Sequence, residues 1–310
     1  MMNGVLGERV RDGDLTDAEL RLLRTLPGPP PRAEIRTTNV WIIEWLFPDD
    51  QKTGKLLHDW MQERRPGWSA YSSCRSEADV IEAIERATVR ARQSGMIPVL
   101  HIEAHGDEVG LGGPHTGGSA GLITWDELAD PLQRLNLMTR CNLGVFVAAC
   151  TGFAAIMTFT RGPRAPAAWL VGPDDTVTQA DLLRGTKEFY RRWIDKVPRL
   201  SDIAASASLE TEPVALEPES FALIAFESLA QCLIISMHPN HLYHHIDHIG
   251  RYIQGAGVIE RTNADLSSIS IAMFQQSWDK LFMIDLYPEN RQRFGVDMST
   301  VIKMVLEYYG

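Results

Sequence analysis

The chain has 310 residues, 45% of them apolar and 23% charged, which excludes a disordered or fibrous polymer and supplies a core for one large domain or two ordinary ones. Its formal charge of −10, with no basic stripe, argues against nucleic acid as a partner and suits a basic or neutral substrate. No uninterrupted run of 18 apolar residues occurs, so no membrane partner is expected, and the first twenty residues lack the apolar segment of a signal peptide.

In chain order, DLTDAELRLLRTL (14–26) has the spacing of a short amphipathic helix, with Asp14 or Thr16 as cap. PGPPPR (27–32) stops it and reads as a stiff linker. From about residue 36, strand and helix alternate. VWIIEWL (40–46) is an apolar run of strand length. TGKLLHDWMQERR (53–65) is helical, WSAYSSC (68–74) is a weaker strand, and SEADVIEAIERATVRARQ (76–93) is a helix capped by Ser76. IPVLHIEA (97–104) is a buried strand, followed by the Gly-rich loop GLGGPHTGG (110–118). TWDELADPLQRLN (124–136) opens with a capping box, Thr124 and Glu127. LGVFVAA (143–149) and AAWLVG (167–172) are further buried strands, and TQADLLRGTKEFYRRWID (178–195) is the next helix. Nearly continuous apolar strands separated by helices predict an α/β fold with a mainly parallel sheet covered on both faces. After residue 200 the rhythm fades and the pattern is mainly helical. The expected division is therefore 1–35 (helix and Pro-rich linker), 36–200 (sheet domain) and 201–310 (helical C-terminal region).

Open parallel sheets place their sites outside the carboxyl ends of the strands. The strand 97–104 ends in His105-Gly106, and the strand 143–149 ends in Cys150-Thr151-Gly152. The two reactive residues lie 45 positions apart, room for one loop and one helix, so the strands are expected to be parallel neighbours. A thiol attacks a carbonyl only as thiolate. An imidazole beside it, or the positive end of a helix over 151–159, favours that anion. Gly106 lets backbone approach a substrate, and the N–H groups of Gly106 and Cys150 are candidate donors to an oxyanion. The four cysteines (74, 141, 150 and 232) form no CxxC pair, which fits free thiols in a reducing cytoplasm.

HIEAHG (101–106), then a Gly-rich loop, GLITWDELADPLQRLN and LGVFVAACTG, resembles the caspase-like cysteine peptidases of clan CD, which include caspases, metacaspases, separase and the bacterial CHAT peptidases. Of the caspase nucleophile pattern, Ala149-Cys150-Thr151-Gly152 keeps A-C-x-G, while the Gln is absent. AWLVGPDDTVTQADLLRGTKEFYRRWI (168–194) resembles the segment after the nucleophile in CHAT-type members, so the likeness covers roughly 36–196. It implies a caspase-like three-layer sandwich. It also implies a His105–Cys150 dyad without an obligatory third member, an acyl-enzyme, and an oxyanion held by Gly106 and Cys150 N–H. Neither cofactor nor metal is implied. The substrate would be a protein or peptide, a regulatory partner protein is compatible, and the setting in the group is bacterial defence or cell death. Members that cut after Arg or Lys often carry Asp where this chain has Ala148. Asp174 and Asp175, in the loop after the 167–172 strand, lie where the group lines its S1 pocket; the alternative is that they are turn and capping residues. His115 is a candidate rim contact.

Three other readings stay open. A chain that keeps the fold without catalysis would be a binding or scaffold protein. HPNHLYHHIDH (238–248) carries five histidines whose helical spacing suits zinc or nickel, which would make a metal-dependent hydrolase. GGSAG (117–121) matches the serine-hydrolase elbow, a motif that needs a strand before and a helix after the serine.

Overall fold

The computed structural model describes residues 15–31, 36–116, 119–160, 162–194, 213–237 and 263–309. The apolar runs become strands of one sheet. β1 (Asn39–Trp45) pairs in parallel with β2 (Ser69–Ser73) on one side and β3 (Pro98–Gly106) on the other. β3 pairs with β6 (Gly144–Ala148), and β6 with β7 (Trp169–Pro173), again in parallel. β8 (Pro213–Leu216) closes the far edge antiparallel to β7, giving the order β2-β1-β3-β6-β7-β8. Because both faces are covered, the inner strands are buried at nearly every position and show no polar alternation.

The two faces are filled by alternate residues. Val40, Ile42, Val99, Phe146, Trp169 and Val171 meet Leu57 and Met61 of α2 (Thr53–Arg64) and Leu182, Phe189 and Tyr190 of α5 (Gln179–Ile194). The intervening Ile43, Trp45, Leu100, Ile102, Val145 and Val147 are equally buried. Their side of the sheet carries α3 (Glu77–Ser94), which packs on β1 and on α4 (Trp125–Met138). Each such side chain taken from water contributes roughly 1.5–3 kcal/mol, so these two layers dominate the stability of the unit. The result is an α/β sandwich with a mainly parallel sheet between two helical layers, as expected.

Local signals set the helix ends. The Ser76 side chain accepts from Asp79 N–H, and Gly95 ends α3 in the left-handed conformation at φ 67°. Thr124 and Glu127 form both bonds of a capping box on α4. Three features depart from expectation. The Gly-rich loop contains a strand, β4 (Gly110–Pro114), which forms a hairpin with β5 (Ala120–Thr124) and hangs on the end of β3. Residues after the nucleophile candidate form a 3-10 helix, Gly152–Thr160, rather than an α-helix. The sheet gains β8 beyond residue 200, a strand too short, and too close to a proline, to show a pattern.

The chain divides into two compact units, Glu34–Phe221 and a second one of Met1–Ala33 with Ala222–Gly310. The second unit includes α1 (Asp17–Thr25), most of α6 (Pro218–Met237), α7 (Asn263–Leu281), the single turn α8 (Arg291–Phe294) and α9 (Met298–Tyr309). Its core holds Phe226, Trp278, Phe282, Phe294 and Ile302. The Trp278 indole donates to Phe294 O at 2.6 Å, and the Tyr309 hydroxyl donates to the buried Glu19 carboxylate. By length and composition α6 is the one helix among the described residues apolar enough to cross a membrane. Its Pro218–Ile235 window has a mean hydropathy of 1.4 and is half buried, and Glu219 and Glu227 interrupt the apolar run.

Candidate active site

Strand order places the site. From β1 the chain passes to α2 on one face; from β3 it passes through the β4–β5 hairpin to α4 on the other. The connections therefore diverge at the carboxyl ends of β1 and β3, the switch point at which open sheets bind ligands. His105 is the penultimate residue of β3, at that end of the sheet.

β3 and β6 are neighbours, and their last paired residues are Glu103 and Ala148. Two positions further along each chain stand His105 and Cys150. Gly106 lies tight against the second segment: a Cβ placed there would be 2.6 Å from Cys150 O and 2.9 Å from Ala149 Cβ. Separate loops hold the two reactive groups over the face covered by α2 and α5. The His105 Nε2 bonds Asp50 Oδ2 at 2.8 Å, in the loop that leads from β1 to α2. The Cys150 thiol donates to Val177 O at 3.7 Å, in the loop that leads from β7 to α5. Among the described residues no hydrogen bond joins imidazole to thiol. Catalytic contacts in a resting site are often long and tighten only with substrate.

The four thiols differ in surroundings. Cys74 and Cys141 are buried. Burial, reinforced by the charge of Asp79, pushes the Cys74 thiol up to about 12. Burial also raises Cys232. Cys150 is partly exposed just past the carboxyl end of β6, with Thr151 after it in the left-handed region at φ 49°. The backbone around it is committed: Thr151 N–H donates to Asp175 O at 3.1 Å and Gly152 N–H to Ala149 O at 3.1 Å.

Asp174 and Asp175 are exposed. The carbonyl of Asp175 receives the Thr151 N–H, and its side chain accepts from Thr176 N–H at 2.6 Å. Capping of α5 falls instead to Thr178, whose hydroxyl accepts from Asp181 N–H. His115 follows β4, and its Nδ1 is bonded to Glu77 at 2.7 Å, tying the hairpin to the start of α3. Ser119 precedes a strand, not a helix, so the elbow geometry of a serine hydrolase is missing. The histidines of 238–248 lie outside the described residues, and among the described residues no cluster of His, Cys, Asp and Glu is arranged to hold a metal ion.

Sequence reasoning missed two features. One is Asp50. The other is the extent of a buried polar chain beneath the rim, of which only His101 was expected, as a histidine inside its strand. His101 is fully buried; its Nε2 donates to Glu103 Oε1 at 2.9 Å and its Nδ1 accepts from the Tyr190 hydroxyl at 3.2 Å. Glu103 also accepts from Thr53 Oγ1 at 2.6 Å, fastening the first residue of α2 to β3. Alternation of apolar and polar residues along HIEAH was the available signal.

No family model matches the chain, and neither does any curated protein. Among solved structures, the complex of the pro- and mature domains of Porphyromonas gingivalis RgpB aligns with a TM-score of 0.35 at 12% identity, over 68% of this chain and 49% of that one. The chain thus spans about half the length of that structure's chain.

Proposed function

We propose that this chain is a cysteine peptidase acting on a protein or peptide substrate, with Cys150 as nucleophile and His105 as its acid–base partner. The observation that carries the reading is that the ends of adjacent parallel strands bring His105 and a partly exposed Cys150 to the same end of the sheet, with Gly106 packed tightly against the Cys150 backbone. In this mechanism His105 takes the thiol proton and the thiolate sulfur bonds the scissile carbonyl carbon. The oxygen becomes an oxyanion facing the N–H groups of Cys150 and Gly106. The C–N bond then breaks and the amine leaves with the proton held on His105. Water adds to the thioester, giving a proton back to His105, and the C–S bond breaks to release the acid and restore the thiol.

Co-incubation of the full chain with candidate partner proteins tests this reading. A cut that disappears in Cys150→Ala and in His105→Ala supports it; a cut that persists in Cys150→Ala refutes it. Asp174 and Asp175 bear on selectivity, since their carboxylates are exposed in the loop that also holds the thiol. A preference for Arg or Lys before the cut, abolished in the D174N/D175N double variant, would assign them to the S1 pocket. No change would leave them as turn residues.

A further inference from the structure

We infer that Asp50 is the positioning residue of the site: it holds His105 with Nε2 protonated and so makes Nδ1 the nitrogen that exchanges the proton with Cys150. The inference rests on the peptidase reading and deepens it. A carboxylate only accepts, so the 2.8 Å contact between Asp50 Oδ2 and His105 Nε2 requires the hydrogen to sit on Nε2. The neutral imidazole then has its lone pair on Nδ1. A ring with one nitrogen fixed by a carboxylate and the other open is the arrangement a general base needs, because it sets both tautomer and orientation before substrate arrives.

The carboxylate is itself held in place. The same Oδ2 accepts from Phe47 N–H at 2.8 Å, so two donors fix one oxygen. The Phe47 ring lies against His105, with centroids 5.6 Å apart. The loop carries two further charged residues, the exposed Asp49 and Lys52, and Lys52 donates to the carbonyls of Leu46 and Phe47 and draws the turn closed. Asp50 is only 20% exposed beside a His105 that is 48% exposed, so the partner is the more sheltered of the pair and the ring keeps an open side. Burial alone would raise the Asp50 carboxyl; the bonds from His105 and Phe47 outweigh it and hold the group below its ordinary range, ionised at neutral pH.

A residue that only braces its loop would not alter the pH dependence of the thiol. The experiment is therefore the second-order rate of Cys150 alkylation by iodoacetamide from pH 4 to 10, in the full chain and in Asp50→Asn, Asp50→Ala and His105→Ala. Wild type is expected to react faster at neutral pH than His105→Ala. Asp50→Asn, which keeps the shape and removes the charge, is expected to slow the neutral-pH reaction roughly 10- to 100-fold and to displace the profile toward that of His105→Ala. If His105→Ala loses the neutral-pH reaction while Asp50→Asn superimposes on wild type, the role of Asp50 is overturned and the dyad stands. If His105→Ala also matches wild type, both fail. Imidazole 15N shifts of the wild-type protein, read at alkaline pH where the ring is neutral, give an answer that does not depend on a variant folding: a protonated Nε2 and bare Nδ1 are expected, and the opposite tautomer overturns the inference.

Discussion

A methyl group on Gly106 would stand 2.6 Å from the carbonyl oxygen of Cys150 and 2.9 Å from the Ala149 side chain. Neither neighbour is the free end of a flexible chain, so Gly106→Ala must push β3 from the turn that carries Cys150. An overpacked site of this kind costs about 1–3 kcal/mol, measurable as a lower urea midpoint, and Cys150 alkylation should slow with it. An unchanged midpoint would mean the strand ends are looser than described. At this scale His105, Gly106 and Cys150 were legible because each follows a recognisable apolar strand. Asp50 was not. It sits in FPDDQK beside Asp49, where composition says only "turn", and nothing in spacing links it to a histidine 55 positions later. Only the pairing of β1 with β3 brings the two together.

At the scale of elements, caps were readable and the hairpin was not. GLGGP has no strand propensity. It becomes β4 because the end of β3 offers it a partner and because Gly113 gives room to the Trp45 ring, which a Cβ would meet at 2.5 Å. The Trp45 indole then donates to Pro114 O at 2.8 Å. Removing the capping box is a simpler perturbation: Thr124→Ala should cost about 1 kcal/mol in chemical denaturation, with little effect on thiol reactivity. On α5, hydrogen bonds from Arg191 and then Arg192 lower Glu188 to about 2. A folded-state value below the unfolded one means stability that is present above the ordinary glutamate range and is lost as pH falls toward 2. Because all three side chains keep substantial exposure, solvent screening limits the gain to roughly 0.5–1 kcal/mol. Glu188→Gln should therefore unfold at lower temperature than wild type at pH 7, and the two melting curves should converge by about pH 2–3. A constant difference across that range would contradict the assignment.

For the whole molecule, the sequence carries the sandwich plainly, since four of the five parallel strands, β1, β3, β6 and β7, are buried on both faces and leave apolar runs that only helices on either side can cover. What it did not carry is how far the sheet unit reaches. Helical patterning dominates after residue 200, yet β8 joins the sheet at 213–216, and the compact unit runs to Phe221. A four-residue edge strand has too few positions to reveal a period. The N-terminal helix likewise groups with the C-terminal helices across nearly two hundred residues, a link no local pattern encodes.

The central claim is that one thiol in four is chemically set apart by a histidine on the neighbouring strand. Treating the native full chain with a substoichiometric peptidyl acyloxymethyl ketone and mapping the adduct by mass spectrometry tests it most directly. The account predicts a single thioether on Cys150 that vanishes in His105→Ala while that variant still melts cooperatively. A label spread over several cysteines, or one on Cys150 that is indifferent to His105, would contradict it.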